Sequence, residues 1–190
     1  MDDEPRSAHA RVLRREGHQP GLLPRLSACG CRTALPRLLD NWQKANHGRK
    51  PKIAYCTLIY VDETDQKALD VALARAARAY EGFLPPPKPG ESFEERVREH
   101  AKKFIGRGEP GASEIMANVF NPDYLMKNDL VYIGSPETVA AKLRRTAEEG
   151  VFNVFLGEFN FSDLPAADVM RSIRLFGEKV IPALRGFEPF

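Results

Sequence analysis

Few residues in this 190-residue chain combine a reactive type with surroundings that suit chemistry. The clearest group is Gly134-Ser135-Pro136-Glu137, where a short apolar run meets the start of a helix. The free amides of a helix start and the positive end of its dipole form a ready anion site, so Gly134 and Ser135 are candidates for contact with a phosphate or carboxylate. The Ser135 hydroxyl would equally serve as an N-cap, and both readings stay open. Glu158 is the other candidate, a carboxylate at a strand exit among Phe155, Phe159 and Phe161. Burial there would raise its pKa. It reads either as a polar contact to a ligand or as a rim residue.

The remaining reactive side chains point to ordinary roles. Cys29 and Cys31 are spaced C-x-C with no second pair, short of the four ligands of structural zinc, so no metal is expected. Cys56 alternates with apolar residues and reads as core rather than nucleophile. His9, His18, His47 and His100 fall in an N-terminal arm, a turn and a polar helix, where exposure without a role is expected. Glu94-Glu95, Glu148-Glu149 and Arg144-Arg145 read as solvated helix faces. Phosphate-loop, dinucleotide, zinc-protease and hydrolase motifs are all missing, and no catalytic base can be assigned.

The elements that would position these residues are punctuated clearly. Leu130 to Ile133 is a short β-rich run, and Pro136 suits a first helical position. Val139, Leu143 and Ala147 share one helix face, and Gly150 sits where a left-handed C′ residue belongs. Val151 to Leu156 is expected as a second buried strand, so the stretch reads as a right-handed βαβ unit. Upstream, Leu38, Leu39 and Trp42 suggest a helix end closed by Asn46-His47-Gly48. Lys52 to Val61 has the pattern of a strand buried on both faces. Asp62 to Asp65 is a turn rich in capping residues, and Ala68 to Phe83 is helical, with Leu69, Ala72, Leu73, Ala76 and Tyr80 on one stripe. Residues 85–128 open on a proline-rich loop and form an irregular excursion, with a surface helix over Glu94 to Phe104. They read as a lid or as an insertion without a role. The last helix carries Val169, Ile173, Phe176 and Val180 inward, with Ser162 or Asp163 as cap and Pro165 near N1. Successive βα units of this kind are the grammar of a parallel α/β fold, whose ligands bind beyond the carboxyl ends of the strands.

Composition narrows the partners. A net charge of +2 gives no pull toward nucleic acid, and no apolar run approaches a membrane span of about 20 residues. Three cysteines make no disulfide framework and point to a reducing cytoplasm. Residues 1–35 stand apart as an atypical Arg-rich segment. Between Met1 and Asp40 there is no Lys, Ile, Phe, Tyr or Asn. That composition is expected of a disordered arm or of a segment unrelated to the rest of the chain, such as a shifted reading frame.

From residue 36 to the C-terminus the chain resembles the C-terminal half of the bacterial-luciferase-like flavin-dependent monooxygenases. Four pieces match in order: Gly48-Arg49-Lys50-Pro51 with its strand and Tyr60-Val61-Asp62-Glu63-Thr64-Asp65, then Tyr132-Ile133-Gly134-Ser135-Pro136-Glu137-Thr138-Val139, then Glu149-Gly150-Val151, then Val180-Ile181-Pro182-Ala183-Leu184-Arg185. The resemblance implies roughly the last three βα units of a (β/α)8 TIM barrel behind an irregular N-terminal arm, with residues 85–128 as lid. It implies an oxidoreductase that uses reduced FMN, or F420 in a sister branch, with O2 and a small organic substrate. A separate flavin reductase and a dimeric, homo-oligomeric assembly are implied as well. Gly134, Ser135 and Glu158 would lie toward the cofactor, with Gly134-Ser135 as the seventh-strand turn and the main phosphate contacts elsewhere. A whole barrel takes about 250 residues. The alternative is therefore a non-catalytic α/β half-barrel that acts as an oligomerisation or binding module.

Overall fold

The structure, a computed structural model, describes residues 39–45, 51–105, 112–150 and 152–189. Expectations for the Arg-rich segment, Cys29, Cys31, His9, His18, His47, the Asn46 to Gly48 turn and the Gly106 to Gly111 stretch lie outside the described residues. Residues 39–45 are helical (α1). Next come β1 (Ala54–Val61), α2 (Asp65–Glu81), α3 (Phe93–Lys102), α4 (Ala112–Asn118), α5 (Pro122–Lys127), β2 (Val131–Gly134), α6 (Pro136–Glu148), β3 (Val154–Glu158) and α7 (Ala166–Leu175). A π-helical turn (Phe176–Val180) and a last short helix, α8 (Ile181–Ala183), close the chain. Among the described residues no helix is long and apolar enough to cross a membrane.

The three strands form a parallel sheet in the order β2-β1-β3. Leu58 to Val61 pair with Val131 to Gly134 on one side of β1, and Ala54 to Leu58 with Val154 to Glu158 on the other. The parallel α/β class is thus as the sequence predicts, but β2 and β3 are not neighbours. Consecutive barrel strands would run β1-β2-β3 with their helices on one outer face. Here the crossover through α6 carries β3 past β1 to its free edge, and helices cover both faces. Alternation along β1 shows why both faces can be filled. Leu58 and Tyr60, with Val131 and Ile133, pack against Ala68, Ala72 and Ala76 of α2. Tyr55, Ile59 and Val61, with Tyr132, pack against Val139, Leu143 and Ala147 of α6. Each fully buried residue such as Ile59 contributes about 2 kcal/mol of apolar transfer.

Local signals set the helix ends, at Thr64, Ser135 and Gly150 as expected. The Thr64 hydroxyl accepts the Lys67 N–H, and Ser135 accepts that of Thr138. Ser92 and Glu95 form a reciprocal capping box, Asn121 caps α5, and Gly150 has φ +80°. The 85–128 stretch is more regular than expected. It forms three helices, and α4 and α5 dock it on the α2-side core through Ile115, the adjoining Val119 and Leu125.

Four expectations are corrected. β3 spans Val154–Glu158 and is an edge strand rather than a buried one, because among the described residues no strand pairs beyond it. Cys56 is exposed, since α2 covers only the Leu58-Tyr60 end of that face. On the last helix Ile173 is 41% exposed, and Ser172 faces inward with Val180. The π-helical turn adds a residue to the repeat and shifts the phase between these positions. Pro165 itself occupies the N-cap of α7 with no side-chain cap, while Asp163 pairs with Arg75 and Arg78 of α2.

Candidate functional site at the strand exits

The carboxyl end of the central strand gathers the most concentrated polar chemistry. Tyr60 and Asp62 are buried at the end of β1, and α7 lays Arg171 and Ser172 across them. Arg171 Nη2 donates to Asp62 Oδ2 at 2.9 Å and to the Tyr60 hydroxyl at 3.1 Å, and it forms an ion pair with Asp168 Oδ1 at 2.8 Å. The Tyr60 hydroxyl donates to Asp62 Oδ2 at 3.2 Å, and the Glu63 N–H to Asp62 Oδ1 at 2.7 Å. Ser172 Oγ accepts the Val61 N–H at 2.8 Å, which ties α7 to the strand end.

The electrostatics fix the protonation states. Burial pushes the Tyr60 phenol up to about 12, with the Asp62 charge adding to it. Burial alone would raise Asp62, but the Glu63 amide and Arg171 outweigh it and hold the carboxyl below its usual range. The Asp62 hydrogen bond raises the Arg171 guanidinium in turn. At neutral pH the group is therefore a phenol, a carboxylate and a guanidinium locked together. Such a carboxylate is a poor general base, because its proton affinity is lowered and both oxygens are engaged. Above it lies an open cavity of about 460 Å3, lined by Asp62, Glu63, Lys67, Asp70, Val71 and Arg171. A larger cavity of about 760 Å3 lies away from the strand ends, between α3 and α4. The smaller one has the stronger claim, because the buried Asp62 and its Arg171 partner face it at the position where parallel α/β folds bind ligands.

The second strand exit is already satisfied from within. The Ser135 N–H donates to Asp65 Oδ1 at 2.6 Å, and the Thr138 hydroxyl to Asp65 Oδ2 at 3.0 Å. Ser135 Oγ accepts the Thr138 N–H at 3.2 Å. The Ser135 amide holds the Asp65 carboxyl below its usual range against a smaller opposing effect of burial. Gly134 permits this approach. A Cβ there would stand 2.9 Å from Asp65 Oδ1 and 3.0 Å from Thr138 Cγ2. The glycine is thus needed for close packing, where the sequence suggests a permissive turn.

Glu158 stands exposed at the third exit rather than buried among its aromatic neighbours. It pairs with Leu58 while Gly134 pairs with Val61 on the opposite side of β1. That separates Glu158 from the Gly134-Ser135 turn by roughly 14 Å, two strand spacings across and three residues along. Sequence reasoning named Gly134 and Ser135, which are together, and the Tyr60 to Glu63 strand exit, but missed Arg171 and the anionic role of Asp65. The only local signal was the acidic run Asp62-Glu63-Thr64-Asp65. Arg145 is likewise more than a surface charge, since its Nη2 donates to both oxygens of buried Asp129 at 2.8 Å. His100 is half-buried with its ring edge against Phe104, and burial lowers its pKa.

A flavin phosphate would need free amides or unpaired cations. At the α6 N-terminus the Asp65 carboxylate takes the place of that anion, and a phosphate there would meet like charge. These residues do not fit a flavin phosphate at this turn. Among the described residues no group of three or more His, Cys, Asp or Glu could hold a metal ion.

No protein-family model and no curated protein matches the chain. Solved structures do. One is the monooxygenase RslO1 from Streptomyces bottropensis, 19% identical, with 92% of this chain and 44% of that one covered and a TM-score of 0.53. Another is the oxygenating constituent of 3,6-diketocamphane monooxygenase from the CAM plasmid of Pseudomonas putida, a type II Baeyer-Villiger monooxygenase in complex with FMN. It is 16% identical, with 91% and 44% covered and a TM-score of 0.60. The F420-dependent tetrahydromethanopterin reductase from Methanopyrus kandleri superposes more loosely, at 22% identity, 82% and 42% covered and a TM-score of 0.48. The chain spans less than half the length of these proteins. Its resemblance to the luciferase-like monooxygenases therefore holds at the level of fold.

Proposed function

We propose that the chain is the C-terminal part of a luciferase-like flavin-dependent oxidoreductase acting with reduced flavin and O2 on a small organic substrate. The observation that carries this reading is the superposition on the FMN-bound oxygenating constituent, at a TM-score of 0.60 over 91% of this chain. The ordered sequence pieces from Gly48 to Arg185 support it independently. In this reading the parallel βα units derive from a barrel, with β3 set on the far side of β1 rather than beside β2, and residues 85–128 are the lid that keeps water from a reactive flavin. FMN is the cofactor, with F420 as the alternative that the sequence resemblance implies. Gly134, Ser135 and Glu158 lie on the cofactor side, and a separate reductase supplies the reduced flavin in the cytoplasm.

The chain's own residues set what the strand exits can do. Asp62 and Arg171 hold the β1 exit rigid, and Tyr60 remains a neutral hydroxyl. The Asp65 carboxylate closes the α6 N-terminus to phosphate, so any flavin is held here through its ring and the phosphate by residues elsewhere. Titrating the purified chain with riboflavin and with FMN, oxidised and reduced, tests this by fluorescence quenching. Saturable quenching of similar strength by riboflavin and FMN is expected. Absence of saturable quenching by either flavin would overturn the enzyme reading.

One structural fact favours a second reading, a non-catalytic module that acts by association. The polar groups at two exits are paired within the chain, while among the described residues the β3 edge is open.

A further inference from the structure

A third cavity lies at the amino end of β3, away from the strand exits. It measures about 380 Å3, toward the lower end of the roughly 300–1,000 Å3 that small-molecule sites occupy. Its walls come from four pieces of the chain. Phe152 stands just ahead of β3 and Phe155 within it, and Leu143 comes from the second half of α6. Phe176 and Ile181 come from the π-helical turn and the residue after it, and Phe187 from the C-terminal tail. The π-helical turn has a local cause. Pro182 has no N–H to donate and its ring crowds the carbonyl four residues back, so the helix widens ahead of it. The Ile181 N–H therefore bonds to the Phe176 carbonyl, and both residues line the cavity. Turns of this kind are frequent at functional sites.

We propose that this cavity binds an aromatic monocarboxylate, with its ring among the phenylalanines and its carboxylate on Arg185. The polar side chains around the cavity single out that arginine. Asn153 is engaged at both ends: its Oδ1 accepts the Ile53 N–H at 2.7 Å, and its Nδ2 donates to the Pro51 carbonyl at 2.8 Å. Arg144 is engaged too, with Nη2 donating to the Ala183 carbonyl at 3.0 Å and its guanidinium 4.6 Å over the Phe187 ring. Arg185 lines the cavity and is exposed, and among the described residues its side chain forms no ion pair. A single planar guanidinium matches one carboxylate through two parallel hydrogen bonds, and among the described residues no second cation lines the cavity to suit a dianion. The body of the ligand follows from the rings. Phe155 lies 5.7 Å from Phe152 and 6.4 Å from Phe176, centroid to centroid, and both pairs are tilted. Phe155, Phe176 and Phe187 are only half-buried, which leaves ring surface for edge-to-face contact with a further aromatic ring. The site is at the opposite end of β3 from the proposed flavin position and stands whether or not the chain binds flavin.

Calorimetric titration of the full chain with 2-naphthoate tests this, with circular dichroism as the check on folding. Saturable binding of one molecule per chain is expected. The neutral isostere 2-naphthamide should bind about tenfold more weakly, a comparison that needs no variant. Decanoate carries the same charge without a ring and should bind about fivefold more weakly than 2-naphthoate. Arg185→Gln, at an exposed position, should bring 2-naphthoate down to the level of 2-naphthamide and leave 2-naphthamide unchanged. Ile181→Trp, which fills the cavity from its exposed wall, should weaken both. Saturating riboflavin should displace neither. Absence of saturable 2-naphthoate binding would overturn the proposal, as would equal affinity for 2-naphthoate and 2-naphthamide. So would an Arg185→Gln that weakens both ligands alike, or an Ile181→Trp that weakens neither. Decanoate binding as tightly as 2-naphthoate would overturn the aromatic assignment. Displacement by riboflavin would place the ligand in the flavin site, and so would overturn a separate site while leaving the flavin reading intact.

Discussion

Asp65 and Ser135, 70 residues apart in the chain, meet at 2.6 Å through a carboxylate oxygen and a backbone amide. The bond joins the start of α2 to the start of α6. It fills the position where a helix dipole would otherwise attract an external anion. One internal carboxylate thus couples two strand exits and removes a binding site that the local sequence advertises.

Removing that carboxylate should destabilise the fold modestly. Asp65→Ala should cost about 1 kcal/mol in urea unfolding at neutral pH, the usual size of a helix-cap loss at an exposed position. The folded-state pKa of Asp65 is depressed, so its stabilisation is complete above the unfolded value and is lost as pH falls through the folded one. The wild type and Asp65→Ala should therefore begin to converge in stability as pH falls below about 4, and meet only once it is below the depressed folded value. A difference that persisted undiminished into acid would contradict the ionic nature of the contact.

Arg171 is the partner that makes a buried Asp62 tolerable. Asp62 is 3% exposed, and Arg171→Leu would leave its charge unpaired. The loss should be about 2–3 kcal/mol, less than for a fully buried pair because the Arg171 side chain is 40% exposed. Asp62 also has a depressed folded pKa, and losing Arg171 should raise it and move acid unfolding to higher pH. Adding Asp62→Asn to Arg171→Leu should recover part of the loss. Additive costs in a double-mutant cycle would show that the two do not act as a pair.

Tyr60 offers a spectroscopic reading of the same cluster. Its phenol, pushed up to about 12, should still be protonated where exposed tyrosines ionise near pH 10. Difference absorbance between wild type and Tyr60→Phe isolates it. The Asp62 charge contributes to the rise, so Asp62→Asn should lower the transition. A Tyr60 that titrates with the exposed phenols would contradict its burial.

Gly157 is constrained by contact rather than by backbone angle. A Cβ there would lie 2.7 Å from Ile59 Cγ2, 3.0 Å from the Phe159 ring and 3.2 Å from the Phe155 ring. Gly157→Ala should destabilise by about 1–3 kcal/mol through overpacking. Ile59→Ala removes the nearest atom, so Gly157→Ala should cost clearly less in that background. Equal costs in both backgrounds, measured by thermal unfolding, would place the strain elsewhere.

Local order was legible from residues close together in the chain. Thr64, Ser135, Asn121 and the Ser92-Glu95 pair cap the helices they precede, and Gly150 takes the left-handed conformation that ends α6. These depend on side chains reaching amides within a few positions, so spacing alone determines them. The β1 pattern likewise foretold a strand covered on both faces, because alternating and intervening positions are both apolar. What local pattern does not encode is the identity of the partner. Periodicity says that β3 is apolar, but only the tertiary structure sets it at an edge beside β1 and leaves Leu156 and Cys56 in water. The same holds for Ile173, which faces outward while Ser172 before the π-helical turn and Val180 at its end face inward. It holds for Arg171, which reaches Asp62 across 109 residues. Contacts at such separations depend on how elements stack, and stacking is a property of the whole chain.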